Sequence, residues 1–329
     1  MRLLVTGGAG FIGSSFIRYL SRVHPDYRVV NLDKLTYAAD LEGLREVEGR
    51  SGYAFVRGDI CELPLVEELI GTGVDAIVNF AAESHVDRSI LEPAPFIRTN
   101  LVGTHVLLEG ARRGRVARFV QVSTDEVYGS LGPEERATES TPPAPGNPYS
   151  ASKAGADLLA RAYARTYGMD VVITRCSNNY GPYQHPEKLI PTLITRALEG
   201  RPLPLYGDGL YVRDWIYVED HCQALDLVLH RGRAGELYNI GAGNERTNLE
   251  VAELILKILG GPPELIAQVE DRPGHDRRYA MDSSKLAAEM GWTPHTAFED
   301  GLRLTIEWYR QHEAWWRRLR RAAGEPGSG

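Results

Sequence analysis

Cysteine is rare in this chain, and long apolar runs are absent from its sequence. The 329 residues include three cysteines, Cys61, Cys176 and Cys222, which are far apart, odd in number and without a CxxC pair. This pattern excludes a disulfide framework and a cysteine zinc site, and we predict that no metal is bound. No segment reaches the apolar length that crosses a bilayer, and the start MRLLVTGGAGFIG has no signal-peptide pattern. We therefore expect a cytoplasmic protein with no membrane partner.

Lysine is also scarce, because only five of the 37 basic residues are lysine and the other 32 are arginine. Arginine is thus the default cation, and each lysine carries more weight as a candidate functional residue. The formal net charge of -7 argues against nucleic acid or an anionic membrane as a general partner. The expected partner is a small molecule.

Apolar runs typical of strands alternate with helical patterns in the first half of the chain. They are RLLVTG, RVVNLD, AFVRGD, AIVNFA, RFVQVST and DVVITRC. This alternation predicts an α/β fold with a doubly wound parallel sheet of the Rossmann type. Residues 1–179 would form this larger unit, completed by about residues 215–232. Because 329 residues exceed one usual core, we predict a smaller, interleaved α/β lobe from residues 180–214 and about 236–312. Residues 313–329 would be a C-terminal tail that starts as a helix end packed on the body.

A glycine motif follows the first predicted strand. Gly7, Gly10 and Gly13 have the spacing G-x-x-G-x-x-G before the helical segment SSFIRYLSRV. Glycines there permit a tight turn and let a pyrophosphate approach the helix N-terminus, where free N–H groups favour an anion. The second strand ends in Asp33, 20 residues after Gly13, where an acid can bind the adenosine ribose and repel a 2′-phosphate. The sequence therefore predicts a dinucleotide site that favours NAD over NADP.

Tyr149 and Lys153 are four positions apart in the helical segment NPYSASKAGADLLARAYARTYG. That spacing sets both side chains on one helix face, one turn apart. An ammonium beside a phenol favours the phenolate, so the pair is a candidate general base for an alcohol that loses hydride. Taken alone, the two residues could also merely share a helix surface.

The segment VSTDEVYG ends an apolar run with Thr124, Asp125 and Glu126. Two adjacent acids repel each other, so one interpretation is a solvated loop. The other is a catalytic pair, in which ionising one carboxyl raises the pKa of its neighbour, so that one acts as acid and one as base.

These motifs together resemble a known family. The order of TGGAGFIG, then Tyr149-x-x-x-Lys153, is similar to that of the extended short-chain dehydrogenases/reductases, whose members act on nucleotide sugars. The stretches NFAAESHVDRSI, STDEVYG, CSNNYGPYQHPEKLIP, YVRDWIYVEDH and DRPGHDRRYAMD narrow the resemblance to the members that act as dTDP-D-glucose 4,6-dehydratases. The resemblance extends to about residue 312.

The resemblance implies a lyase reaction of deoxysugar biosynthesis, from dTDP-D-glucose to dTDP-4-keto-6-deoxy-D-glucose. Tyr149, with Lys153, would take the 4-OH proton while NAD accepts hydride from C4, and Thr124 would hydrogen-bond the C4 oxygen. Glu126 would then remove the C5 proton and a protonated Asp125 would protonate the leaving C6 hydroxyl. Hydride would return to C6, so that a tightly bound NAD is regenerated. Spacing alone leaves the roles of Asp125 and Glu126 interchangeable.

The resemblance also implies two sets of binding residues. The cofactor set is Gly7, Gly10, Phe11, Ile12, Gly13, Asp33, Lys34, Asp59, Ile60, Phe80, Ala81, Ala82, Ser84, Thr99, Tyr149 and Lys153. The substrate set comprises cations for the diphosphate, Lys188, Arg213 and Arg272, with Asn178, Leu189, Pro204, Tyr206, Asn248 and His275 on the nucleotide side and His85 and Thr124 toward the sugar. Each cation taken alone could be a solvated surface charge, and each histidine a structural one.

Two other functions compete with this expectation. A nucleotide-sugar 4-epimerase would share the glycine motif, Tyr149 and Lys153, but would have no use for Asp125 and Glu126 as an acid/base pair. A non-catalytic NAD-binding regulator would tolerate the loss of Tyr149.

The resemblance further implies a homodimer, formed through helices at about residues 93–113 and 149–167.

Overall fold

A seven-stranded parallel sheet forms the centre of the computed structural model, which describes residues 1–322. The sheet contains β1 (Arg2–Thr6), β2 (Arg28–Asp33), β3 (Tyr53–Arg57), β4 (Ala76–Asn79), β5 (Arg118–Thr124), β6 (Val171–Cys176) and β10 (Leu237–Ile240). Their order is β10-β6-β5-β4-β1-β2-β3, and every neighbouring pair is parallel. The chain reverses its direction of sheet growth between β1 and β4, so a crevice opens at the carboxyl ends of these strands.

Helices cover both faces of this sheet. They are α1 (Phe11–Val23), α2 (Leu63–Gly71), α3 (Val86–Leu91), α4 (Ala94–Phe96), α5 (Thr104–Gly114), α6 (Pro148–Tyr167), α8 (Val218–Arg231) and α10 (Ser284–Met290). Residues alternate along β1, so Leu3 and Val5 pack toward α1 and α8 while Leu4 packs toward α2 and α5. A parallel sheet buried on both faces explains why its strands read as near-continuous apolar runs. The predicted doubly wound fold is confirmed.

Within the described residues, five strands and four helices form the smaller lobe. They are β7 (Asn178–Tyr180), β8 (Leu203–Tyr206), β9 (Val212–Tyr217), β11 (Glu245–Thr247), β12 (Ile266–Val269), α7 (Leu189–Leu198), α9 (Asn248–Leu259), α11 (Phe298–Gln311) and α12 (Glu313–Ala322). β9 lies between β7 and β11, and β8 pairs with β12. The lobe has its own apolar core, which includes Leu193, Ile255 and Leu302.

The boundary prediction was wrong at β10 and its helix, and at the ends of two strands: residues 178–179 of β7 and 215–217 of β9, predicted for the larger unit, belong to the smaller sheet. Leu237–Ile240 had been placed in the smaller lobe, but it pairs in parallel with β6 as the edge strand of the large sheet. Helix α10 packs beside it, and Leu286 and Met290 join the large core. A four-residue strand gives little signal by itself, because its place depends on a partner strand about 65 residues earlier in the chain.

The predicted tail is an ordered helix through Ala322. Trp316 of α12 is 1% exposed and Trp315 is 5% exposed, and both belong to the core of the smaller lobe. This confirms the expected packing of the helix on the body. Residues 323–329, the rest of the predicted tail, lie outside the described residues. Within residues 1–322, no helix combines the length and apolarity needed to cross a bilayer.

Candidate active site

The glycine loop joins β1 to α1 in a conformation that excludes other side chains. Gly7 has φ +69°, and a Cβ atom there would lie 2.5 Å from the Ala81 nitrogen. A Cβ on Gly13 would lie 2.4 Å from the Gly7 carbonyl oxygen. Gly10 is the N-cap of α1 and brings no side-chain cap, so the first turn of this helix presents its N–H groups to the crevice. Gly8, which the spacing did not single out, is packed against Asn31.

Asp33 ends β2 directly beside this loop. One carboxylate oxygen accepts from Ala9 N at 3.0 Å and the other from Leu35 N at 2.8 Å. Burial raises the pKa of Asp33, and these two hydrogen bonds oppose that rise. An acid at the end of the second strand is thus fixed against the glycine loop, where the spacing placed it.

One continuous cavity runs from the glycine loop to the end of β5. Its lining includes every residue predicted for the cofactor: Gly7, Gly10, Phe11, Ile12, Gly13, Asp33, Lys34, Asp59, Ile60, Phe80, Ala81, Ala82, Ser84, Thr99, Tyr149 and Lys153. It also includes Thr124, Asp125, Glu126, Asn178 and Lys188. The structure therefore brings the predicted cofactor set and the predicted catalytic residues to one crevice, at the carboxyl ends of the parallel strands.

The acidic pair begins a short 3₁₀ turn, Asp125–Tyr128, immediately after β5. Thr124 is the N-cap of this turn, and its hydroxyl accepts from Glu126 N at 3.3 Å and donates to Asp125 Oδ1 at 3.2 Å. The turn ends at Gly129, where φ is +73° and a Cβ would lie 2.1 Å from the Ala144 carbonyl oxygen. The adjacent acids are therefore held in a buried turn, which contradicts the solvated-loop interpretation.

The two carboxyl groups have different electrostatic surroundings. Burial raises the pKa of Asp125 well above its ordinary value, and the charges of Glu126 and Asp214 raise it further. Burial also raises the pKa of Glu126, but Arg213, Arg272 and Lys188 all oppose that rise. Asp125 is consequently the carboxyl that keeps its proton, and Glu126 is the one that ionises more readily.

Tyr149 and Lys153 lie near the start of α6. Asn147 caps this helix in a capping box with Ser150 and Pro148 occupies its first turn, so the sequence NPYS fixes where the helix begins. Burial raises the pKa of Tyr149, a rise that Glu126 and Cys176 reinforce and that a hydrogen bond with Thr124 opposes. The Lys153 ammonium donates to the Val122 carbonyl oxygen at 2.7 Å.

Three cations surround the open side of Glu126. Lys188 donates to the Ser84 carbonyl oxygen at 3.0 Å and so bridges from the smaller lobe to the large one. Arg213 is buried, donates to the Asp276 carbonyl oxygen at 2.9 Å and lies over the ring of Tyr279. Arg272 pairs with Asp87 at 2.8 Å. The planar guanidinium groups of the two arginines have the donor geometry that binds phosphate oxygens.

The remaining predicted substrate residues do not belong to the lining of the main cavity. Tyr206 donates to Asp87 at 3.2 Å, and His275 stacks on Tyr211 with ring centroids 3.7 Å apart. Burial lowers the pKa of His275 to about 4 and also lowers the pKa of His85, so both rings are neutral near pH 7. Leu189 begins α7, Pro204 lies in β8, and Asn248 is buried at the start of α9.

Several residues of this site escaped the sequence analysis. Asp87 holds both Arg272 and Tyr206, although it lies 185 and 119 residues from them. Cys176 lines the cavity beside the acidic pair, because β6 pairs with β5 in a register that places Cys176 opposite Thr124. Tyr37 lies under the guanidinium of Arg88, at 3.5 Å from the ring centroid. Each of these three residues reaches the site through a contact between segments that are distant in the sequence, and the spacing of residues within one segment cannot predict such a contact.

A His–Asp–His group lies at the opposite end of α1. Asp226 accepts from His24 at 3.0 Å and lies 3.2 Å from His230. His230 Nε2 also contacts the Tyr27 hydroxyl at 2.7 Å. These are the contacts of a hydrogen-bonded network. The absence of a metal stays a prediction.

The sequence is similar to a known protein family over most of its length. Residues 4–305 match the family model described as GDP-mannose 4,6 dehydratase. The dTDP-glucose 4,6-dehydratase of Streptomyces niveus is 54% identical over 99% of both chains. The enzyme of the same name from Mycobacterium tuberculosis is 53% identical, over 98% of this chain and 97% of its own.

Solved structures agree with the sequence comparisons. The dTDP-glucose 4,6-dehydratase of Streptomyces venezuelae, crystallised with NAD and dTDP, superposes with a TM-score of 0.94 at 54% identity and covers 97% of this chain and 100% of its own. The UDP-glucose 4-epimerase of Thermus thermophilus, with NAD, reaches a TM-score of 0.88 at 34% identity, over 95% of this chain and 100% of its own. The chain therefore belongs to the dTDP-glucose 4,6-dehydratase family of extended short-chain dehydrogenases/reductases.

Proposed function

We propose that the protein is an NAD-dependent dTDP-glucose 4,6-dehydratase, which converts dTDP-D-glucose to dTDP-4-keto-6-deoxy-D-glucose. The observation that carries this proposal is the pair Asp125 and Glu126, which shares one cavity with Tyr149 and Lys188 and lies beside the charge of Arg213. Elimination of water across C5 and C6 needs a base and an acid in addition to the base that takes the 4-OH proton, and a 4-epimerase has no use for this second pair. The names of the relatives agree with this function.

The crevice fits a dinucleotide by three criteria. Gly7 and Gly13 leave no room for a Cβ atom, the N-terminus of α1 has no side-chain cap, and Asp33 stands at the ribose position. The predicted cofactor residues would hold the group along this crevice. When bound, NAD supplies a reversible hydride acceptor for C4 of the sugar.

The side chains at the end of β5 supply the proton transfers. Tyr149 would take the 4-OH proton, and since burial raises its pKa, it needs nearby positive charge to act as a base; Lys153 is the cation that α6 places one turn away. Thr124 would hydrogen-bond the C4 oxygen. Glu126 would take the C5 proton, and Asp125 would protonate the C6 hydroxyl as it leaves. Arg213, Arg272 and Lys188 would bind the diphosphate.

The first test is incubation of the purified protein with dTDP-glucose and, separately, UDP-glucose, without added NAD. We expect loss of one water from dTDP-glucose and a product that absorbs near-UV light in alkali, because it carries a 4-keto group. Turnover without added NAD is expected, since the cofactor ends each cycle in its starting state. A product of unchanged mass with inverted C4 would make the protein an epimerase, and no reaction with a full load of NAD would favour the non-catalytic regulator.

Gly13→Ala is expected to abolish NAD binding. The added methyl would lie 2.4 Å from the Gly7 carbonyl oxygen, so the loop must open and lose its fit to a pyrophosphate. NAD content of the purified variant, measured after denaturation, is expected to fall at least about tenfold for a loss of about 1.4 kcal/mol or more. Gly71→Ala at the exposed end of α2, where a Cβ meets nothing within 4 Å, is the matched control. A Gly13→Ala variant with full NAD content would refute this role of the loop.

We also propose that the chain forms a homodimer through α6 and the helical segment that contains α4 and α5. Large apolar side chains are exposed on these two neighbouring helices: Leu158 is 55% exposed, Tyr167 52%, Val102 44% and Ile97 43%. Such a clustered apolar face is typical of a subunit interface.

The cytoplasmic location and the absence of nucleic-acid and membrane partners stay predictions.

Leu158→Arg is expected to convert this dimer to a monomer. A charge buried at the centre of a two-fold interface is placed beside its own copy and loses solvation without gaining a partner. Sedimentation velocity at micromolar concentration measures the change. Leu304→Arg is the control, because Leu304 is 57% exposed on α11. A monomeric wild type, or dissociation by the control alone, would refute this interface.

A further inference from the structure

The loop of residues 35–40, which follows Asp33, crosses the mouth of the cofactor cavity. Thr36, Ala38 and Ala39 line that cavity. The loop starts at Leu35, whose φ of +58° is uncommon for a residue with a side chain. A conformation of this kind persists only where surrounding contacts hold it. We call residues 35–40 the cofactor loop.

Two anchors hold the cofactor loop. In its middle, Tyr37 lies under Arg88 of α3 and makes an edge contact with His185, at 5.9 Å between ring centroids. At its end, Asp40 N donates to the Ala9 carbonyl oxygen at 2.9 Å. Because Ala9 belongs to the glycine loop and donates to Asp33, the end of the cofactor loop is connected directly to the dinucleotide crevice.

The C-terminal helix supplies the side-chain partners of Asp40 Oδ2, whereas Asp40 Oδ1 accepts from Glu42 N at 3.1 Å. Trp315 Nε1 donates to Asp40 Oδ2 at 2.6 Å, and Arg318 donates to the same oxygen at 2.8 Å and to Glu42 at 3.0 Å. The Trp315 indole is 5% exposed, so its N–H has a fixed position. Hydrogen bonds to a carboxylate are roughly twice as strong as those between neutral groups. α12 therefore fixes the cofactor loop from outside the site.

We propose that Trp315 and Arg318 are positioning residues for the cofactor: acting through Asp40, they hold the cofactor loop over the end of the cavity that contains Asp33 and keep NAD bound between turnovers. This inference rests on the proposed function. A reaction that returns its hydride to the same substrate has no need to release the dinucleotide, so a loop held closed costs no turnover. α12 contributes retention of the cofactor and takes no part in the chemistry.

The test measures release of NAD from the intact protein. The wild type and the variants Asp40→Asn, Trp315→Phe and Arg318→Gln are loaded with radiolabelled NAD and chased with excess unlabelled NAD. We expect release about tenfold faster in Asp40→Asn and Trp315→Phe, as for the loss of one charge-assisted hydrogen bond. The double variant Asp40→Asn/Trp315→Phe is expected to release NAD as fast as the faster of the two single variants, because both substitutions remove the same hydrogen bond between Trp315 and Asp40. kcat at saturating added NAD is expected to stay at the wild-type value.

Arg317→Gln is the control on the same helix. Arg317 pairs with Glu199 and Glu313, so its loss weakens helix packing without touching Asp40, and we expect wild-type release. Arg318→Gln is a surface change, with half of its side chain exposed, and it keeps the test valid if Trp315→Phe folds poorly. Unchanged release in all three test variants, or equal acceleration by Arg317→Gln, would overturn the inference. A wild type that binds no NAD would overturn the proposed function and this inference with it.

Discussion

Glu126→Gln is expected to lower kcat by about 10²- to 10⁴-fold, the usual contribution of a general base, while NAD and the nucleotide sugar stay bound. Glutamine keeps the shape of the side chain but cannot accept the C5 proton. The cations Arg213, Arg272 and Lys188, which oppose the rise in the pKa of Glu126, would keep their charge for the diphosphate. The dTDP-glucose affinity is therefore expected to be unchanged or tighter.

Two measurements separate this outcome from general damage. Exchange of the C5 hydrogen into deuterated water reports proton removal and is expected to stop in Glu126→Gln, whereas oxidation at C4, followed as reduced cofactor at 340 nm in a single turnover, is expected to continue. Glu134→Gln, in the exposed loop that follows the acidic pair, is the control and should behave as the wild type. Normal turnover by Glu126→Gln would remove the mechanism.

The pH dependence follows from the same carboxyl. Burial raises the pKa of Glu126 above its ordinary value, and only the ionised form is a base. When the pH is lowered, the loss of activity is therefore expected to begin at a higher pH than it would if the base were an exposed glutamate. The acid limb of the kcat profile should be absent from the residual activity of Glu126→Gln.

The parts of the fold that depend on local signals could be predicted from the sequence. The glycine loop is one example, because the spacing of Gly7, Gly10 and Gly13 follows from the tight turn and the helix that they join. The start of α6 is another, since the Asn147 cap and Pro148 mark it within the chain. Alternating strands and helices then leave few topologies for the large sheet.

The parts that depend on distant pairing could not be predicted in the same way. β10 joins the large sheet only because β6 leaves an open edge for it. Asp87 becomes part of the site only when Arg272, from a loop 185 residues later, reaches it. The contact of Trp315 with Asp40 spans 275 residues. The sequence around these residues is amphipathic and so indicates that they pack against something. Which distant segment each one contacts is decided only when the chain folds.

The roles of the two acids are likewise a property of their surroundings. Two carboxyl groups at adjacent positions in a sequence are equivalent candidates for the acid and the base, because only one position along the chain separates them. In the structure, Asp125 is 2% exposed and lies near Asp214, while Glu126 faces cations. Desolvation and like charge keep a proton on the Asp125 carboxyl, whereas opposite charge opposes the rise in the pKa of Glu126. A difference between the two roles therefore arises only after folding.

Asp125→Asn is expected to lower kcat for water loss by about 10²- to 10⁴-fold, as for removal of a general acid. The reason is geometric as well as electrostatic. Asp125 Oδ1 accepts from Thr124, whereas the buried Oδ2 has no hydrogen-bond partner among the described residues, so it is the atom from which a proton can pass to a departing hydroxyl. An amide fills the same space without a proton that it can release.

The same variant tests the assignment of acid and base. Once C4 is oxidised, exchange of the C5 hydrogen needs an ionised Glu126 but no acid for the C6 hydroxyl, so it should persist in Asp125→Asn and be lost in Glu126→Gln. The wild type should lose water elimination as the pH rises through the strongly raised pKa of Asp125, and C5 exchange by Asp125→Asn should lack that alkaline limb. If Asp125→Asn stops C5 exchange while Glu126→Gln retains it, the two roles are reversed. The three cations around Glu126 would then serve the diphosphate alone, and the proton on Asp125 would have to leave before catalysis begins.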